Sequence, residues 1–343
     1  MVKPIVRKIQ LTGGSTYIVS LPKNWVKSHS LKPGDEIEIR QDKKLRLILV
    51  PRSSSEGEEK REKKIALNCS KPDISFIIRE IISYYMAGYS LIYIGCNKFT
   101  PDDRETIKET VRKRLLGAEI IDENATSVTI QFLVNERDLS ISRAINRAFN
   151  ISYNMLKDSL DSLFNGDKEL AKEIHDRDDD VDRFYFYIVR QLSLAVESSE
   201  ILENEKYNLT QSVNIYSTAK SIERISDHSL RIVDQIEQIE KLNNKDIYEH
   251  GKFILDFYKT SLNSFIQRDT NLAHEVINKE FELLKVNTQL AENVLKSQLD
   301  PKYASSLLII IDSLRRITRY SIDIAESTVD LVAKQIEQTE EQG

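Results

Sequence analysis

The chain has 343 residues, with 49 Lys+Arg against 54 Asp+Glu for a formal net charge of −5, 40% hydrophobic residues, 10 Gly and 7 Pro. That length accommodates two or three domains at ~100–200 residues each. The composition excludes collagen, low-complexity disorder and a loop-rich disulfide scaffold. Charge is unevenly spread. Residues 1–52 hold eleven Lys+Arg and four acids, a net of +7, which leaves −12 for the remainder. A basic head on an acidic body is expected to meet an anionic polymer at one end and cations at the other. Cys69 and Cys96 lack metal-ligand spacing and read as two buried free thiols in a reducing cytosol. No apolar run reaches the ~18 residues of a membrane span and no signal-peptide stretch opens the chain. A soluble cytoplasmic protein without membrane insertion is the expectation.

In chain order, residues 1–52 read as short strands over Val6–Leu11, Tyr17–Leu21, Glu36–Arg40 and Leu45–Val50, separated by Gly13-Gly14, Pro33-Gly34 and Gln41–Lys44 turns. Pro22 to His29 fits one short helix, with proline in the first turn where its missing N–H costs nothing. So small a unit has too little core to stand alone and is expected to dimerise. Residues 53–63 form a charged linker. Residues 64–135 predict a small α/β layer domain in the order β-α-β-α-β-β, with strands at Lys64–Asn68, Ser90–Gly95, Glu119–Asp122 and Ser127–Val134 and helices at Asp73–Ala87 and Asp102–Leu116. No glycine-rich strand-to-helix turn occurs, neither GxGxxG nor GxxxxGK.

From about Asp138 onward, apolar residues recur at three- and four-residue spacing, with breaks near Asn165-Gly166, Glu203–Tyr207, Asn243-Asn244, Arg268-Asp269 and Asp300-Pro301. Six long helices follow, in two copies of three. The first spans 136–244 and the second 245–337. Asp167, Leu170, Ala171, Ile174 and Asp178 match Asp269, Leu272, Ala273, Val276 and Glu280 at an offset of 102, and SIERISDHSLRIVD from Ser221 faces SLRRITRYSIDIAE from Ser313 at an offset of 92.

Within the first copy, Asp178 with Asp182 and Glu223 with Asp227 are carboxylate pairs four residues apart, so each presents two oxygen ligands on one helix face. Two such helices side by side could offer four carboxylates to a hard or borderline cation. With 54 acids in the chain, about eight such pairs arise by chance, so spacing alone decides nothing. Asp178 falls on the core-facing stripe of its helix and Asp182 at the edge of that stripe, where an unpaired charge is costly. Glu223 and Asp227 lie away from the apolar face of theirs, and a solvated reading stays open for them. In the second copy Arg315 and Arg319 stand where the first has Glu223 and Asp227, and Glu280 and Leu284 where it has Asp178 and Asp182. Arginines cannot ligate a metal. They can take a cation's place beside Glu280 as fixed positive charge.

The segment Ile222–Asp234, IERISDHSLRIVD, resembles the ERIGDHA signature of PhoU-type phosphate-signalling proteins, and Asp167–Asp182 resembles the helix preceding it. Ser226 stands where that family usually has glycine. The resemblance implies two tandem three-helix bundles and a cluster of iron, manganese, zinc or magnesium held by Asp178, Asp182, Glu223 and Asp227. It also implies a regulatory role in phosphate uptake, with a phosphate ABC transporter's ATPase and a sensor kinase as partners. Gly13–Asp35 resembles the AbrB/SpoVT swapped-hairpin fold, with Leu31, Gly34 and Asp35 matching its L-x-x-G-D turn, while Ser15 and Thr16 replace the arginine that commonly follows the first glycine. That resemblance implies a homodimer through the head and, as in many members, contact with promoter DNA. Lys3, Arg7, Lys8, Lys23 and Lys27 are then the candidate DNA contacts, which give affinity rather than sequence choice.

The fold class expected is thus α+β and multidomain: a swapped-hairpin β domain, a small α/β layer domain and two PhoU-like three-helix bundles. Three functions compete. The first is a non-enzymatic, metal-binding regulator with a DNA-binding head. The second is a metal-free helical scaffold whose head only dimerises. The third, a di-metal carboxylate enzyme, lacks the Glu-x-x-His motif at every one of the five histidines. His228 and His175 are weaker candidates for supporting the carboxylates.

Overall fold

The structure is a computed structural model that describes residues 4–41, 45–52, 63–70, 73–133, 139–198 and 200–340. The chain divides into two compact units, Met1–Glu62 and Lys63–Gly343. Lys3 and most of the charged linker, 53–62, lie outside the described residues.

The first unit is two antiparallel hairpins. β1 (Gln10–Thr12) pairs with β2 (Thr16–Ile18), Leu11 facing Tyr17, and β3 (Ile37–Gln41) pairs with β4 (Leu47–Pro51), Ile39 facing Leu49. Gly13 and Gly14 close the first hairpin at φ of 62° and 81°, a left-handed pair that a tight turn requires. Between the hairpins lies α1 (Lys23–Ser28). The first strand, expected from Val6, begins only at Gln10. Residues 4–9 face no second strand within the described chain, because β2 ends at Ile18. Among the described residues of this unit only Pro51 is buried, while Leu11, Tyr17, Ile39 and Leu47 are each more than half exposed.

In the second unit a four-stranded sheet runs in the order β5-β6-β8-β7. β5 (Lys64–Cys69) and β6 (Leu91–Cys96) are parallel, joined by α2 (Ile74–Met86). β7 (Ala118–Glu123) and β8 (Ser127–Phe132) form an antiparallel hairpin behind α3 (Pro101–Arg114). The expected element order is realised. Thr100 and Asp103 form a capping box at the start of α3, and Arg112, Lys113 and Arg114 crowd its last turn, where the helix dipole favours positive charge. The cysteines are not free thiols: Cys69 and Cys96 are joined in a disulfide. The parallel register places them directly opposite one another, with Cα atoms 4.6 Å apart, which residue spacing in the sequence could not reveal.

The helical region begins with α4 (Ile141–Asn165) and α5 (Lys168–Ala195). A short α6 (Glu200–Glu203) leads to α7 (Ser212–Val233), and α8 (Ile236–Ile239) to α9 (Lys245–Gln267). The second copy's middle helix, expected as one piece, is split into α10 (Thr270–Asn278) and α11 (Glu280–Lys296); nothing in the structure explains the break at Lys279. α12 (Pro301–Glu340) closes the chain. The duplication is visible in backbone detail. Gly166 and Arg268 both adopt left-handed conformations, and Asp167 and Asp269 both cap the next helix through backbone N–H groups two and three residues on. Ser229 and Ser321 both donate to the carbonyl four residues back, Ile225 at 2.8 Å and Ile317 at 2.9 Å. Buried Ser152 and Ser159 of α4 donate across to Ile222 and Ser229 carbonyls of α7, at 3.2 and 2.9 Å. Small residues at that heptad spacing allow the close approach.

The main hydrophobic core runs from the sheet into both bundles, from Ile77 to Leu331, and a second, smaller cluster around Phe257, Ala273, Val276 and Ile322 lies in the second bundle. The sheet layer is fixed to α5 by Arg190, 5% exposed, which donates to the carbonyls of Tyr85 at 2.8 Å and Tyr89 at 2.7 Å and stacks over the rings of Tyr85 and Phe132. Beside it Gly88, at φ +86°, leaves room for Leu194, whose side chain would stand 2.8 Å from an added Cβ. Arg190→Met would strand two buried carbonyls. Each charge-assisted bond contributes ~1.5–3 kcal/mol, so a loss on the order of 3 kcal/mol in urea unfolding is expected. An unchanged midpoint would show that Arg190 does not hold the layers together.

Candidate metal centre and nucleic-acid interface

α5 and α7 pack side by side and bring Asp178, Asp182, Glu223 and Asp227 into one electrostatic cluster. Asp182 is buried, and the Glu223 side chain is only 12% exposed, which removes the solvated reading for Glu223; Asp227 sits exposed at the rim. Burial, then the charge of Asp182, pushes the Asp178 carboxyl up to about 6. Desolvation first, then Glu223, Asp178 and Asp182, push Asp227 up to about 7. Burial also raises Asp182, against the opposing pull of Arg114. Like charges crowded in a low-dielectric seam resist ionising together, and here both causes act in the same direction.

Two basic side chains partly relieve the crowding. Arg114, the last residue of α3, forms an ion pair with Asp182 and lies 3.5 Å from Asp179, its guanidinium stacked over Phe186. Lys220 of α7 bonds Glu223 at 2.6 Å and sits over the Tyr185 ring. Asp178 Oδ1 and Glu223 Oε2 nevertheless remain buried without a hydrogen-bond partner. Such orphaned carboxylate oxygens suit a hard or borderline cation. As they stand, no three His, Cys, Asp or Glu side chains among the described residues are grouped closely enough to hold a metal. Asp182 and Glu223 are instead turned to Arg114 and Lys220. Lys220, which sequence reasoning missed, carries a local signal as the i,i+3 neighbour of Glu223. Arg114 was not, because it lies 68 residues before Asp182 in another layer.

Ser226, in the glycine position of the signature, donates to the Glu223 carbonyl at 2.7 Å and faces Asp178. His175 bonds Asp234 at 3.0 Å, outside the cluster. His228 turns toward α12, packing on Tyr320, and its ring is held down to about 4 by burial and by Arg231, Arg316 and Arg315. In the second copy Arg319 pairs with Glu280, whereas Arg315 bonds Asp312 on its own helix at 2.6 Å.

In the head, Arg7, Lys8, Lys23 and Lys27 are exposed and none has an acidic partner among the described residues; Lys23 and Lys27 share one face of α1. Lys3 lies outside the described residues.

A family model described as "PhoU domain" matches residues 145–236 and 247–328, one match in each helical copy, and one described as "Antidote-toxin recognition MazE, bacterial antitoxin" matches residues 10–57. The chain is 22% identical over 203 residues to a "Phosphate-specific transport system accessory protein PhoU homolog" of Clostridium acetobutylicum, covering 56% of this chain and 90% of that protein. Two crystal structures are similar to part of it. PhoU from Pseudomonas aeruginosa has 17% identity and a TM-score of 0.50, over 57% of this chain and 96% of that one. The phosphate transport system regulatory protein PhoU from Streptococcus pneumoniae has 20% identity and a TM-score of 0.48, over 56% and 92%. With both helical copies matched, over half of the sequence, the chain belongs to the PhoU domain family.

Proposed function

We propose that this protein is a non-catalytic regulator of phosphate uptake, in which a divalent or trivalent cation bound by Asp178, Asp182, Glu223 and Asp227 sets the state of the helical bundle. The head dimerises and touches DNA. The observation that carries the reading is the partly buried carboxylate cluster inside the first PhoU domain, with Asp227 at its exposed rim and two oxygens orphaned. Manganese, iron, zinc or magnesium would supply fixed positive charge there and no bond-breaking chemistry. The phosphate assignment rests on the relatives, one of them a phosphate-specific transport accessory protein. A transporter ATPase, a sensor kinase and promoter DNA are the proposed partners, in a cytoplasmic setting. No helix among the described residues is long and apolar enough to cross a membrane. A second reading, a metal-free adaptor, draws on Arg114 and Lys220, which already neutralise two of the four carboxylates.

Metal analysis and Mn²⁺ titration of the purified protein separate the two. Asp178→Asn and Glu223→Gln are expected to weaken Mn²⁺ binding by about tenfold or more, as loss of a charged ligand does. Unchanged uptake in both variants would leave the adaptor. Binding must also release protons, because Asp178 and Asp227 titrate near 6 and 7. Affinity should therefore climb from pH 5.5 to 8, with a calorimetric heat that varies with buffer ionisation; a flat profile would argue against these two ligands. Without cation the sign for stability is opposite. Both carboxyls are raised above the unfolded value of about 3.9, so the folded chain binds more protons and stability falls as pH rises from about 4 to about 7.

For the head, Leu11, Tyr17, Ile39 and Leu47 are exposed and nothing among the described residues of the unit buries them, which supports a dimer in which paired hairpins share a core. Light scattering should give twice the chain mass. Filter binding to duplex DNA should weaken steeply with salt, and the Lys23→Ala, Lys27→Ala double variant should lower the salt slope by ~1–2 units, about 0.9 per phosphate contact. Absence of binding at ~50 mM salt, where phosphate contacts are strongest, would make the head a dimerisation device.

A further inference from the structure

The two helical copies differ in what covers their middle helix. In the first, α5 carries Asp179, Asp182, Phe186 and Arg190 on the face that meets the sheet layer: Arg114 of α3 lies against the first three, and Arg190 bonds the Tyr85 and Tyr89 carbonyls. At the offset of 102 the matching residues of α11 are Phe281, Leu284, Thr288 and Glu292. The second copy has no sheet layer of its own among the described residues. Its face is left bare. Phe281 is 81% and Leu295 71% exposed, Thr288 is exposed, and Leu284 and Ala291 are half-buried, whereas Leu283, Asn287 and Val294 are buried on the inner side. Phe281, Leu284, Thr288, Ala291 and Leu295 recur at the three- and four-residue spacing of a coiled-coil seam. The Thr288 hydroxyl donates to the Leu284 carbonyl at 3.0 Å, so the middle of the seam needs no polar partner. Along one flank stand Glu282, Lys285, Glu292 and Lys296, all exposed. Glu292 and Lys296 pair with each other at 2.9 Å, while Glu282 and Lys285 have no ion-pair partner among the described residues.

We infer that α11 is a self-association surface whose occupant is α11 of a second copy of this chain, packed antiparallel about a two-fold axis beside Thr288. Such an axis sets residues equally far before and after it side by side and keeps the same flank of both helices together. Phe281 then meets Leu295 of the second copy, Lys285 meets its Glu292, and Glu282 meets its Lys296. Every charge on the flank finds its opposite. Parallel pairing would set Lys285 against Lys285 and Glu292 against Glu292, and like charges at flanking positions oppose association. Charge complementarity thus selects both the occupant and its direction. The contact gives α11 the cover that the sheet layer gives α5, and it stands apart from the cation reading of the first copy.

Thiol cross-linking of the full chain tests this. Cys69 and Cys96 are tied in a disulfide, so under non-reducing conditions a thiol introduced on α11 is the reactive one. A short bis-maleimide should join Thr288→Cys into a covalent dimer, because that position lies beside the axis. Glu282→Cys should stay unjoined, since its two copies stand roughly 20 Å apart along the helices at 1.5 Å per residue. Within the Thr288→Cys chain, Lys285→Glu should lower the yield about fivefold, because two symmetric ion pairs turn repulsive together. Adding Glu292→Lys should restore it, which neither misfolding nor random encounter would do. Phe281→Glu with Leu295→Glu should abolish the product, and both positions face solvent, so the fold has no need of them. No covalent dimer at 288 would overturn self-association through α11. Equal yields at 282 and 288 would overturn the antiparallel contact, and a yield at 288 indifferent to Lys285→Glu and to the Phe281, Leu295 pair would mark chance collision and overturn it too.

Discussion

Four carboxylates gathered between two packed helices impose the constraint from which the rest of the second unit can be understood. Ionised together in a partly dry seam they repel, and two of them are raised well above the usual carboxylate range. The chain answers with positive charge from two directions, Lys220 from the same helix and Arg114 from the sheet layer, and still leaves two oxygens orphaned. A bundle maintained only for packing would do better with apolar residues at these positions, since buried charge adds little net stability even when paired.

The second copy meets the same constraint by different chemistry. Glu280 occupies the place of Asp178, and Arg319 pairs with it directly. Its companion Arg315 turns to Asp312 instead. The scaffold beneath is the same in both copies, down to the left-handed residue, the aspartate cap and the back-bonded serine. One bundle thus leaves carboxylate oxygens unpaired, while in the other an arginine pairs with the matching acid, on a middle helix that is split at Lys279. The head poses an apolar version of the same question. Its hairpins pair as expected yet bury almost nothing among the described residues.

Much of this was legible before the structure. Local signals marked the elements: Gly13-Gly14 the first hairpin, Asn165-Gly166 and Arg268-Asp269 the breaks between helices. The i,i+4 acid pairs and the offsets of 102 and 92 pointed to the cluster and the duplication. What failed was everything dependent on long-range register. The cysteines read as separate thiols until parallel strands placed them opposite one another. For Glu223 a solvated reading stayed open because helical periodicity sees one helix at a time, and its second dry face exists only where α5 lies against α7.

The sequence by itself therefore determined the helices, the caps, the repeated units and the chemical character of each face, because these follow from interactions within a few residues. Tertiary structure alone decided which charges meet. Arg114 and Asp182 are 68 residues apart, in different layers, and no local pattern links them. Their contact arises because Arg190 pins the sheet layer to α5 at one end and brings the basic end of α3 over the acids at the other. Coulomb interaction acts through space rather than along the chain, so only the packed fold could show that the basic end of one domain is the counterion of the next.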